Sequence, residues 1–190
     1  MKLINLESLL EIQTAGLYLL GCEIVRTLED GSTLRARIVE TERYHQEDPA
    51  SHTFHGKSPR NSIMFGPPGY AYVYFTYGMH WCFNVTAGAE GYGAGVLIRA
   101  AEPLEGIEAM KQLRGKQDIA QLTNGPAKLA QALAINKLNY GHDLRLPPLQ
   151  IYEPQNRNFE VVKTTRIGIT KAVDEIARFY IKDSSFVSKK

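Results

Sequence analysis

Tyr70, Tyr72 and Tyr74 alternate with Ala71, Val73 and Phe75, the two-residue period of a strand. Tyr77-Gly78 interrupts that alternation and Trp81-Cys82-Phe83-Asn84-Val85 resumes it, so 70–84 predicts strand, tight turn, strand. Gly78 suits the positive φ that such a turn requires. Turn tips usually carry small polar residues, so an aromatic at Tyr77 stands out. Two readings fit it: Tyr77 folds back onto its own sheet, or it is a wedge that enters a partner such as a DNA base stack.

The pattern elsewhere predicts a mixed chain. Leu6 to Leu20 predicts one or two short helices, with Leu9, Leu10, Ile12 and Leu17 for the core and Gly21 as the stop. Cys22 to Arg26 and Leu34 to Tyr44 predict two strands joined by the turn Glu29-Asp30-Gly31-Ser32. Val96 to Ala100 predicts a buried strand. Glu102-Pro103-Leu104 predicts the start of a helix to Arg114, with Leu104, Ile107, Met110 and Leu113 as its core stripe. Asn124-Gly125-Pro126 opens another helix, whose apolar positions are Leu129, Leu133 and Ile135. Leu144 to Tyr152, Val161 to Ile169 and Arg178 to Ile181 read as strands, and 184–190 as a loose tail.

Composition narrows the class without naming a function. A chain of 190 residues, 44% apolar and 22% charged, predicts one soluble globular domain, 1–190, with a sizeable core. A net charge of +2 permits an anionic partner without requiring one. Cys22 and Cys82 form neither a metal spacing nor a disulfide framework, which fits an intracellular setting. The N-terminus lacks the apolar run and cleavage site of a signal peptide. No apolar stretch is long enough to span a membrane.

Candidate chemistry sits on the strands and on one loop. Ile38, Glu40, Glu42 and Tyr44 fall on one face by alternation. Those carboxylates are either an ordinary solvated face, or one of them sits in a pocket. There it would act as general base on water or steady a positive transition state, with Tyr44 as an aromatic wall. Arg99 lies in an apolar strand and needs a partner, because burying an unpaired charge is costly; Glu42 is the obvious candidate. The loop from His45 to Gly69 is long enough to suggest function. Its His52 and His55, with Asp48, lack a metal-ligand spacing, so no metal is expected. Lys57 and Arg60, interleaved with Ser58 and Asn61, are either phosphate contacts or part of a solvated loop. Lys128, at a helix start against the dipole, hints at an anion.

Taken in series, the stretches RIVETERYHQEDPASH (37–52), SPRNSIMFGPPGYAYVYFTYGMHWCFNV (58–85), VLIRAAEPLEGIEAM (96–110), NGPAKLAQALAI (124–135) and RIGI (166–169) resemble the alkyladenine (3-methyladenine) DNA glycosylase family. The resemblance implies a single compact α+β domain, with a curved, mainly antiparallel sheet flanked by helices and a protruding β-hairpin. It implies a monofunctional N-glycosylase of base excision repair acting on alkylated or deaminated purines in double-stranded DNA, with no cofactor and located with the DNA. No exposed heptad or edge signal argues for assembly, so a monomer is the default expectation. By the same resemblance Glu42 is the base that activates water and Arg99 its partner. Tyr44, His52 and Tyr74 sandwich the flipped base, Asn84 screens the purine edge, and Tyr77 fills the gap in the stack. Met79, His80, Lys57 and Arg60 are further candidate DNA contacts. The chain departs from the family where Tyr44 to His52 is one residue short. It departs again where His80 replaces an aromatic, and where Glu175-Ile176-Ala177 replaces the family's Leu-Pro-Trp before Arg178-Phe179. Two other classes compete with this reading: a damage-binding module without chemistry, and a hydrolase of free nucleosides. Intact Glu42 and Arg99 argue against the first, and the wedge and basic loop against the second.

Overall fold

The computed structural model describes residues 1–189. Its strands are β1 (Glu23–Thr27), β2 (Thr33–His45), β3 (Ala71–Thr76), β4 (His80–Thr86), β5 (Ala94–Glu105), β6 (Leu149–Tyr152), β7 (Val161–Thr165) and β8 (Ile176–Ile181). Three helices accompany them among the described residues: α1 (Ile12–Leu19), α2 (Ile107–Arg114) and α3 (Pro126–Ala132). The sheet is antiparallel throughout, in the order β3-β4-β5-β2-β1-β6, and curls into a half-barrel. β8 joins it through β2, and β7 pairs with β8. The whole forms one α+β domain.

β2 is the hub, and it changes partner partway along. One edge pairs with β5 from Arg35 to His45. The other edge pairs with β1 up to Arg37 and then with β8 over Glu40–Glu42. Two bulges mark the change. Val39 is the extra residue between the pairs Ile38↔Ala101 and Glu40↔Ala100, and Arg99 is the extra residue before Thr41↔Ile98. The first bulge breaks the alternation expected from sequence. Leu34, Ala36, Ile38 and Val39 all belong to the apolar core. Thr41 then hydrogen-bonds the carbonyl of Gly16 in α1 at 2.9 Å. Ile38 therefore does not share the face of Glu40, Glu42 and Tyr44, as strict alternation predicts.

Other expectations also need correction. The segment at Glu102-Pro103-Leu104 is strand, and α2 starts only after Gly106. Proline is tolerated there because β4 covers β5 only over Gly95–Leu97, leaving Pro103 with one neighbouring strand. Gly106 takes φ 74°, and a Cβ there would lie 2.5 Å from a Leu34 methyl, so the strand-to-helix corner needs glycine. The late start leaves Met110 as the buried residue of α2, while Leu104 and Leu113 are exposed. α3 begins with Pro126, and Leu129, Leu133 and Ile135 are buried. Burial of such a side chain stabilises by about 1.5–3 kcal/mol. Residues 144–148 and 166–169 lie outside the strands. The terminal segment is not loose over 184–189: Val187 is buried and the Ser188 N–H donates to Glu40. Lys190 lies outside the described residues.

Candidate active site

Glu42 lies in β2 opposite Leu97 of β5 and Arg178 of β8, and is wholly buried. Its Oε1 accepts the backbone N–H of Ile167 at 2.8 Å. Its Oε2 accepts the Tyr44 hydroxyl at 2.8 Å and Arg99 Nη1 at 3.1 Å. A carboxylate has about four acceptor positions, so these three donors leave room for one more. Arg99 Nε also sits 3.4 Å from Glu40 Oε1, and Arg178 Nε 2.8 Å from the same oxygen. Two carboxylates and two guanidiniums thus share one buried, formally neutral cluster. Burial opposes the charge on Arg99, but Glu42 and then Glu40 outweigh it and hold the guanidinium firmly protonated.

Above this floor opens a cavity of about 520 Å³ lined by Tyr44, His52, Tyr72, Tyr74, Asn84, Leu97 and Arg99. Its volume falls in the usual range for small-molecule sites, roughly 300–1,000 Å³. The guanidinium of buried Arg166 lies 4.6 Å from the centre of the Tyr44 ring, and Arg166 is itself paired with Asp48 and Glu175. Asp48 is thereby engaged structurally. Burial, and then the Glu42 carboxylate, push the Tyr44 phenol far above its ordinary pKa, so it remains a donor. Burial and neighbouring Cys82 do the same to Tyr74.

His52 is fixed by two tyrosines. Its Nδ1 lies 2.8 Å from the Tyr72 hydroxyl, and its ring meets Tyr74 edge-on at 4.5 Å between centroids. Burial, and then the Arg60 charge, lower its pKa below the ordinary 6.5, so the imidazole is neutral near pH 7. Burial pushes the Tyr72 hydroxyl up to about 12. Sequence reasoning missed Tyr72 as a wall residue, although the alternation Tyr70, Tyr72, Tyr74 carried the signal. Asn84 faces the same cavity and anchors one amide N–H on the Tyr72 carbonyl at 3.0 Å.

The hairpin tip stands at the rim. Thr76 O accepts the Met79 N–H at 3.2 Å, and Tyr77 and Gly78 have φ of 51° and 66°. A tyrosine held in the left-handed region is uncommon. Tyr77 does not fold back: it is 84% exposed, beside exposed Met79 and His80. It borders the cavity whose floor is Arg99. Lys57 and Arg60 are exposed and lie outside this cavity; Arg60 Nη2 donates to the Phe75 carbonyl at 3.3 Å. Residues 167–171 also line the cavity, and of these Thr170 and Lys171 lie beyond the RIGI motif of 166–169. Lys128 hydrogen-bonds Asn124 Oδ1 at 2.8 Å, which supplies a local partner for a cation at a helix start.

Residues 10–185 match the family model described as Methylpurine-DNA glycosylase (MPG). Three curated relatives share the name "Putative 3-methyladenine DNA glycosylase". That of Carboxydothermus hydrogenoformans is 53% identical over 176 residues, covering 90% of this chain and 91% of its own length. That of Methanoculleus marisnigri is 48% identical over the same shares. That of Francisella tularensis subsp. tularensis is 46% identical over 192 residues, 98% of this chain and 99% of its own. These matches define the class as a DNA glycosylase, an enzyme of DNA repair acting on N-glycosyl bonds. The chain belongs to the methylpurine-DNA glycosylase family. No helix among the described residues is long and apolar enough to cross a membrane.

Proposed function

We propose that this enzyme takes alkylated or deaminated purines out of double-stranded DNA and hydrolyses the N-glycosidic bond with water activated by Glu42. The observation that carries the reading is the buried Glu42–Arg99 pair: Arg99 lines a cavity walled by Tyr44, Tyr72, Tyr74 and His52, and Glu42 lies directly behind that wall, bonded to its residues Tyr44, Arg99 and Ile167. A base inside a duplex hides its glycosidic bond, so the nucleotide must swing out, and aromatic walls offset the lost stacking. Base–aromatic stacking is worth roughly 1–3 kcal/mol per base. A purine alkylated on a ring nitrogen, such as 3-methyladenine, is cationic in the nucleotide, gains from electron-rich tyrosine faces, and meets a neutral rather than a charged imidazole at His52. It is also a good leaving group, so one carboxylate and one held water suffice. The fourth acceptor position of Glu42 takes the water proton while Arg99 holds the oxygen, and the Glu42 carboxylate steadies positive charge developing on the sugar. Tyr77, exposed on its turn, fills the vacated place in the stack. Asn84 offers its remaining amide groups to the purine edge.

The test is incubation with duplex DNA carrying one 3-methyladenine or one hypoxanthine, followed by hot alkali. The expected result is strand cleavage at the lesion only after alkali. Cleavage before alkali would overturn monofunctional hydrolysis and point to the rim amine of Lys171. Lesion-specific binding without any cleavage would mean a damage-binding module.

A further inference from the structure

The segment 184–189 packs against the charged cluster and lines no part of the cavity. The Ser188 N–H donates to Glu40 Oε2 at 2.7 Å. Ser188 Oγ lies 3.5 Å from Arg99 Nη2, and Arg178 donates to the Lys189 carbonyl. Glu40 is wholly buried, and of its partners Arg99, Arg178 and Ser188 only Arg99 lines the cavity, whereas all three donors to Glu42 do. Its other oxygen, Oε1, sits between Arg99 Nε at 3.4 Å and Arg178 Nε at 2.8 Å. Arg99 is the extra residue of a bulge, where ladder pairing is interrupted. The aim of its guanidinium therefore depends on side-chain partners more than on strand register.

We propose that Glu40 and the Ser188 N–H form a positioning device for Arg99. The terminal segment fixes one oxygen of Glu40, and the other oxygen holds Arg99 facing Glu42 and the water. Both are positioning residues, and the inference rests on the reading of Glu42 and Arg99 as the water-activating pair. Proline at 188 deletes the N–H and leaves every charge in place. Ser188→Ala keeps the N–H and serves as the conservative control.

Single-turnover base release and lesion-duplex affinity are measured for each variant. Ser188→Pro should slow base release about 10- to 100-fold at unchanged affinity, and Ser188→Ala should stay within about twofold. On an Arg99→Lys background Ser188→Pro should add no further loss, because the group it positions is gone. A full rate in Ser188→Pro overturns the proposal. So does an equal further loss on the Arg99→Lys background, which marks a general structural role. If Ser188→Pro does not fold, Glu40→Gln decides. It keeps an amide oxygen for the Ser188 N–H and removes the charge that holds Arg99, so the same slowing at unchanged affinity is expected, and a full rate overturns the idea. Glu42→Gln separates the two levels. If Glu42→Gln stays active, the catalytic reading fails; if it is inactive while Ser188→Pro and Glu40→Gln are not, only the positioning device fails.

Discussion

The imidazole of His52 links the cavity wall to the stability of the fold. Packed between Tyr72 and Tyr74, it resists protonation in the native protein. An unfolded histidine takes up its proton near pH 6.5. The folded pKa is depressed, so the stabilisation is fully present above about pH 6.5 and is lost as pH falls toward the folded pKa. The melting temperature should therefore drop between about pH 7 and pH 5, and the drop should be shallower in His52→Gln. An identical pH slope in the two proteins would mean that the site accepts a proton without cost. The same neutrality has a chemical side, since a protonated His52 would repel a cationic purine at short range.

At the scale of elements, two devices build the site. The bulges at Val39 and Arg99 turn Glu40 and Glu42 off the apolar face, and β8 then brings Arg178 against them. The β3–β4 hairpin projects Tyr77 beyond the sheet on a turn whose central residues both have positive φ. Tyr77→Ser should weaken binding to lesion-containing duplex by about 1–3 kcal/mol, roughly 5- to 150-fold in Kd. Measuring that affinity by titration checks the wedge; an unchanged Kd would remove it. The hairpin was legible in the sequence because its alternation is long and its break is a single Gly-containing pair. The bulges were not, because an inserted residue such as Val39 is as apolar as the positions it interrupts. The start of α2 was misplaced for a related reason: Pro103 suits both a helix entry and a strand with a free edge. The long loop 45–69 showed its importance by length alone. Its actual work depends on contacts to β3 and to Arg166 that lie far away in sequence, such as His52 with Tyr72 and Asp48 with Arg166.

Across the whole molecule, one sheet separates two environments. One face is an apolar core covered by α1, and the other carries a neutral cluster of buried charges beneath an aromatic cavity. The motif series made the second environment recognisable as that of a glycosylase, while the terminal segment that completes it carried no signal, being short, with only Phe186 and Val187 apolar. This division lets binding and chemistry be separated. The tyrosine walls and hairpin recognise the lesion, and the floor breaks the bond. The most direct test replaces Glu42 with glutamine and measures both properties on duplex DNA carrying a single alkylated purine. Lesion affinity should stay as in the wild type, while base release falls by about 10²–10⁴-fold, the span of a general-base contribution. Near-normal base release by Glu42→Gln would contradict the assignment of this carboxylate as the activating base.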